Sequence, residues 1–297
     1  MEVIMEPKQY KRKFGDRPDG RKIRSLDPLN TVSPYIMGKR NDASNLINVT
    51  VDVENIEKYI RKKRNEGLKG FGILHVLIAT YVKAVAQRPG INRFISGQKI
   101  FARNDIQVML TIKKEMKLDA QETVLKLYAS PSDSPEDIYN KLNTLVEENR
   151  AQGDQNDLDG VARILNYIPG LVLKFAVWLL NFLDYFGLLP RFLLKVSPFH
   201  GSFFVTSMGS LGIPAIYHHL YNFGIVAIFC SYSSNRTEMV LDKDGNPVKR
   251  KFVDFKFVLD ERTCDGHYYS SALKLMNDYL KHPEKLDIPV EVTPDIY

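Results

Sequence analysis

Strand-like and helix-like stretches are interleaved along this chain without a regular strand–helix–strand rhythm and without an internal repeat. That mixture points to an α+β domain built on a mixed β-sheet. The run 45–53, NLINVTVDV, is β-branched with partial alternation and reads as a strand, followed by a charged surface helix over 54–63. Gly70 and Gly72 flank the start of an apolar helix, Ile73 to Gln87, which Pro89-Gly90 stops. Residues 93–103 read as a hairpin turning at Ser96-Gly97, and 105–113 and 122–129 as strands. Ser134 at the N-cap with Pro135 at the first helical position opens a helix that runs to about Arg150. A polar linker follows at 152–159. Strands return at 202–206 and 225–231 and on both sides of the turn 242–247. The last of them, 249–259, leads into a final helix from about His267 to Lys281.

The length of 297 residues allows one large single-core domain or two modest ones, and 44% apolar with 26% charged residues excludes a chain disordered throughout. Residues 1–31 form a basic arm that is expected to have little structure of its own. Within residues 1–25, eight Lys and Arg stand against four acids, so this stretch carries +4 of the net charge of +6. A solvated or subunit-wrapping tail is favoured over one that binds nucleic acid or anionic lipid. Cys230 and Cys264 have no CxxC or Cys/His spacing and read as small buried hydrophobes suited to a reducing cytoplasm. His218-His219 has no acids at metal-ligand spacing, so no metal is expected. His75 reads as a core histidine, and His200 and His282 as surface residues. Neither a dinucleotide nor a nucleoside triphosphate fingerprint occurs. The first residues contain no apolar run of the signal-peptide kind.

Residues 160–198 form an apolar helical segment that falls short of a membrane span, because Lys174, Asp184 and Arg191 interrupt it and Pro169, Gly187 and Pro190 break it. At about 100° per residue, Lys174, Asn181 and Asp184 share one narrow face, leaving a broad apolar face that includes Val177, Trp178, Leu180 and Phe182. Such a helix is buried, sits in an oligomer contact, lies flat on a membrane surface, or covers a pocket.

Two segments carry the chemistry. In 201–212, GSFFVTSMGSLG, a strand delivers Thr206 and Ser207 into a glycine-rich turn where backbone can approach a ligand closely. In 255–267, FKFVLDERTCDGH, a strand turns through Asp265-Gly266 into the last helix. Together these motifs resemble the acyltransferase domain shared by chloramphenicol acetyltransferases and 2-oxoacid dehydrogenase (dihydrolipoamide) acyltransferases. That family ends in a strand, a His-x-x-x-Asp-Gly motif and a closing helix. Here Glu261-Arg-Thr-Cys-Asp265-Gly266 has the spacing, and 279–284, YLKHPE, matches the close. Upstream, 36–40, IMGKR, the strand 48–53 and the helix 76–89 followed by Gly90-Ile-Asn92 extend the resemblance. It spans residues 32–286, with 287–297 as a C-terminal tail.

The resemblance implies a two-layer chloramphenicol acetyltransferase-like fold, a homotrimer with active sites between subunits, and acyl transfer between coenzyme A and a small-molecule acceptor. It places Ser207 as donor to the oxyanion, with Thr206 and Tyr268 lining the substrate. Asp265 and Gly266 are structural, with Arg40 as the partner of Asp265. The chain shows neither a lipoyl attachment turn nor the Gly-Leu-x-x-Pro run, having 115–122, EMKLDAQE, at that place.

Glu261 stands where the family keeps its catalytic histidine. An ordinary carboxylate is too weak a base for a thiol, but burial can raise a carboxyl from about 4.3 toward 6 or 7. Glu261 is then the base; or His267, His218 or His219 supplies an imidazole; or the site has lost acyl transfer and serves binding or assembly, at a membrane surface if the apolar segment docks there. A bland alternative pairs Glu261 with Arg262 or Arg40, and lets Ser207 cap its own turn.

Overall fold

The computed structural model describes residues 12–113, 122–152 and 167–295. The polar linker expected over 152–159 lies outside them except for its first residue, as do residues 1–11 of the basic arm, residues 160–166 of the apolar segment and most of 115–122.

The chain runs β1 (Gly20–Lys22), α1 (Pro28–Ile36), β2 (Ser44–Asp52), α2 (Glu54–Asn65), α3 (Ile73–Gln87), β3 (Arg93–Ser96), β4 (Lys99–Arg103), β5 (Ile106–Lys113) and β6 (Glu122–Ala129). It continues with α4 (Pro135–Gln152), α5 (Gly170–Tyr185), α6 (Arg191–Val196), β7 (Phe203–Ser207), β8 (Ile228–Tyr232), β9 (Arg236–Leu241), β10 (Pro247–Asp260) and α7 (Gly266–Lys281).

Seven strands form the main sheet in the order β2-β10-β8-β7-β5-β6, with β9 beside the first half of β10. The sheet is mixed: β5–β7 and β7–β8 are parallel, the other pairs antiparallel. The period of two along its strands decides what each face does. On β10, Val253, Phe255, Phe257 and Leu259 point into the main core with Phe203 and Val205 of β7, while Val258 and Phe204 join a smaller cluster on the other face. Helix α3 runs through the main core, with every residue from His75 to Ala86 buried. It is packed there with residues of α7 and of α4. Ser134 opens α4 as its sequence implies, its hydroxyl accepting from the Asp137 amide at 3.1 Å while the Asp137 carboxylate accepts from the Ser134 amide at 2.9 Å.

The basic arm departs from expectation. From residue 12 onward it is built into the domain: β1 pairs antiparallel with β4 to make a three-stranded sheet, and Gly20 lies so close to the Phe94 ring that a Cβ would fall within 2.6 Å of it. Arg17, 4% exposed, bonds to Asp19, to the Ser96 hydroxyl, and to both the carbonyl and the carboxylate of Asp184. A single buried guanidinium thus ties the arm, the β3–β4 hairpin and α5 together.

That contact also turns α5 around. Asp184 does not share a solvent face with Lys174 and Asn181; it faces inward, next to the stripe Leu173, Ala176, Leu180 and Leu183, which are only half-buried. His200, expected at the surface, is 2% exposed, because Ser197 (2.7 Å) and Asp184 (3.5 Å) give its ring polar partners inside. Burial pushes the His200 imidazole below its ordinary value even though Asp184 opposes the shift. Among the described residues no helix is long and apolar enough to cross a membrane.

Candidate functional site

Ser207 closes β7, half-buried, at the point where the sheet gives way to a short turn over Gly209–Leu211. Two glycines make that turn possible. At Gly209 a Cβ would come within 2.9 Å of the Ser233 carbonyl, and Gly212 adopts φ +69°, in the left-handed region. The Ser207 hydroxyl accepts from the Ser210 amide at 3.3 Å, a long bond, and also contacts the hydroxyl of its cross-strand neighbour Tyr232. Burial raises the Tyr232 phenol. Thr206, on the opposite face of the strand, is also half-buried.

The second segment leaves β10 at Asp260. Glu261 is exposed, its amide donating to the Ala43 carbonyl at 2.9 Å, whereas Asp260 beside it is buried. The arginines near this turn pair with Asp260, not with Glu261. Asp260 accepts from Arg262 at 2.8 Å on each oxygen and from Arg40 Nε at 3.2 Å. Arg40 further donates to the carbonyls of Tyr221 and Gly224, and Arg262 to that of Met37. Burial pushes the Arg40 guanidinium below its usual range, against the pull of Asp260.

The partner expected for Arg40, Asp265, is therefore replaced by Asp260. Asp265 is exposed and holds the backbone instead: it is the N-cap of α7, accepting from the Tyr268 amide at 2.8 Å, with Gly266 as the first helical residue. His267 is exposed on the first turn of α7. Tyr268 turns toward α3, its hydroxyl accepting from the Gly90 amide at 2.9 Å, and Gly90 has no room for a Cβ beneath that ring. Behind the turn, Tyr269 is buried and bonds to the Asp260 carbonyl, and burial raises the Cys264 thiol to about 12. That thiol is an inert core group at neutral pH. His218 lies flat on Phe229 with ring centroids 4.0 Å apart, on the smaller-cluster face.

Strand register fixes how far apart the two segments are. Ser207 is paired with Tyr232, which is paired with Phe255 of β10. Glu261 lies six residues farther along, about 20 Å at the rise of an extended strand. Within one chain Ser207 and Glu261 therefore occupy opposite ends of the sheet. An open cleft of about 520 Å³ runs beside Gly266, between β2 and α7, lined by Leu46, Ile47, Val49, Leu259 and Leu273 with Asn45 and Asn277. No group of three or more His, Cys, Asp or Glu able to hold a metal occurs among the described residues.

No protein-family model matches this chain, and no curated protein matches it by sequence. Solved structures do match. A probable dihydrolipoamide acetyltransferase from Listeria monocytogenes is 17% identical with a TM-score of 0.55, the match covering 92% of this chain and 99% of that one. The dihydrolipoamide acetyltransferase of Azotobacter vinelandii, whose structure addresses a serine, a histidine and an asparagine in its catalytic mechanism, is 12% identical with a TM-score of 0.57, over 90% and 95% of the two chains. A chloramphenicol acetyltransferase is 12% identical with a TM-score of 0.51, over 87% and 100%. The chain has the chloramphenicol acetyltransferase-like fold. Within that fold the sequence reading missed Asp260 as the anchor of the Glu261 turn and Tyr232 as the neighbour of Ser207. The signal for Asp260 was present: an acid that ends a largely apolar strand must find a cation if it is taken inside.

Proposed function

We propose that this protein is an acyltransferase acting between coenzyme A and a small acceptor, with each active site formed where two copies of the chain meet. The observation that carries the reading is the separation of Ser207 and Glu261 across the sheet, about 20 Å by strand register. Two polar groups presented at opposite ends of one sheet can serve one reaction only if a second subunit brings its Glu261 turn to the Ser207 turn of the first. The homotrimer expected from the sequence would do so, and would also cover the exposed Glu261, supplying the burial that a carboxylate needs to act as a base.

In the proposed reaction Glu261 accepts the proton of the attacking thiol or hydroxyl as that atom bonds to the acyl carbonyl carbon. The Ser207 hydroxyl donates to the resulting oxyanion. Collapse then breaks the bond to the leaving group, which takes the proton back from Glu261, so one acyl group and one proton exchange places. The apolar cleft beside Gly266 suits an acyl or pantetheine chain, since its walls are Leu46, Ile47, Val49 and Leu273. Losing one oxyanion donor slows acyl transfer about 10²–10³-fold.

The test is free-thiol release from a panel of acyl-coenzyme A donors. Wild type should turn over, and Ser207→Ala and Glu261→Gln should each be nearly silent. Co-expressed together, the two variants should regain activity, because one of the mixed interfaces keeps both groups. Activity that no mixture restores would refute the shared site. The self-bonded Ser207 hydroxyl, held by the Ser210 amide, favours a second reading, a non-catalytic binding or assembly protein. Silence of wild type and of Glu261→His across the whole panel would establish it.

A further inference from the structure

Helix α5 displays a broad exposed apolar surface. Leu171 is 84% exposed, Phe175 59%, Trp178 57% and Phe182 46%, and these residues recur every three or four positions on the outer side of the helix. The rings of Phe175, Trp178, Phe182 and Phe186 form a continuous ladder with centroids 5.7, 5.6 and 4.9 Å apart. Leu188 and Phe192 extend the apolar surface toward α6. A contiguous patch of this kind marks an interaction site.

Charge says what covers it. Between residues 167 and 202 the only acid is Asp184, and it is buried against Arg17 and His200. The exposed charges of this segment are therefore all positive: Lys174, Arg191 and Lys195. The arm adds Arg12 and Arg21, which border one hollow of about 280 Å³ with Arg191 next to α6, while Arg17 in its wall is balanced by Asp19 and Asp184. Asp16, which shares that hollow, is neutralised by Arg24 at 2.9 Å. A second copy docked through the same face would set these cations against their own equivalents. An acidic lipid surface complements them, with Trp and Phe at the depth where aromatic rings sit and basic side chains at the headgroups.

We infer that α5 and α6 form a peripheral membrane-docking face that lies flat on an anionic bilayer, with Phe175, Trp178 and Phe182 at the boundary between headgroups and acyl chains and Lys174, Arg191 and Lys195 at the phosphates. This inference does not depend on the proposed catalytic activity.

Trp178 is the protein's single tryptophan, so its fluorescence reports on this face alone. The full chain is mixed with vesicles of phosphatidylcholine containing about one quarter phosphatidylserine, and with phosphatidylcholine vesicles as the neutral control. Expected with the anionic vesicles are co-sedimentation, a shift of emission to shorter wavelength, and quenching by brominated acyl chains. Phe175→Glu with Phe182→Glu, both exposed and so compatible with folding, should lower binding about tenfold or more while keeping the fluorophore. Arg191→Glu with Lys195→Glu should weaken binding and reduce its sensitivity to salt. Emission unchanged by anionic vesicles, with the protein left in the supernatant, overturns the inference. So does equal, salt-insensitive binding to neutral vesicles. Emission already at short wavelength without lipid, lost together with oligomer mass in the Phe175→Glu, Phe182→Glu variant, overturns it in favour of a second copy.

Discussion

Replacing Asp260 by alanine removes the carboxylate that sits between two buried guanidiniums, those of Arg40 and Arg262, with side chains 4%, 1% and 4% exposed in the order Arg40, Asp260, Arg262. Arg40 keeps its two carbonyl partners and Arg262 keeps the Met37 carbonyl, but both charges stay inside without that counterion. Breaking a buried ion pair by removing one partner costs about 3–5 kcal/mol. For a chain of this length that corresponds to roughly 10 °C in melting temperature. Urea unfolding of wild type and Asp260→Ala gives the difference directly, provided the slope with denaturant is unchanged. Glu261→Ala is the control: its carboxylate is exposed, and its loss should move stability by no more than about 0.5 kcal/mol. A cost below about 1 kcal/mol for Asp260→Ala, or equal harm from the two substitutions, would refute the anchoring role of Asp260. Either result would mean that the arginines find other partners and that the Glu261 turn is not anchored from behind.

Burial lowers the His75 imidazole to about 4, so the folded protein holds this ring neutral, with its Nδ1 accepting from the Gly72 amide at 3.1 Å. The stabilisation is complete above the ordinary value near 6.5 and is lost as pH falls from there toward 4, amounting to about 3 kcal/mol at most. His75→Leu should flatten that part of the stability curve; His200, also depressed by burial, titrates in the same sense, so the difference between variant and parent is what is read. An unchanged slope would sink the assignment. Gly97 has φ +54°, and a Cβ there would run into the carbonyl oxygen of Tyr185. Gly97→Ala should therefore cost about 1–3 kcal/mol and release the last turn of α5, seen as faster amide exchange there than in α3.

Much of the fold could be read because its elements carry local signals. Helix α3 is a long apolar run bounded by glycines and Pro89, α4 begins with Ser134-Pro135, and the second half of β10 alternates core residues. The strand β1 could not be read, since three residues have no period and its pairing with β4 depends on Gly20 fitting under Phe94. The buried state of His200 escaped for a related reason: its partner Asp184 lies sixteen residues away near the end of α5, and polar burial is decided by such distant partners. At the candidate site, the Gly-rich turn and the Asp-Gly turn were visible as local backbone requirements. Which acid holds Arg40 was not, because Asp260 and Asp265 are both close enough in sequence, and only the packing at the end of β10 selects between them.

The Arg17–Asp184 pair has a consequence for how the molecule presents itself. It fixes the end of α5 and, by burying the segment's one acid, it also sets the sign of the surface that α5 displays. Removing the arm as far as β1 would therefore do more than shorten the chain. The helix would keep only the hairpin's hold on it, through Ser96 and Gln98, and a carboxylate now balanced by a guanidinium would subtract from the positive charge of Lys174, Arg191 and Lys195, so that whatever recognises this face by its charge would meet a different protein.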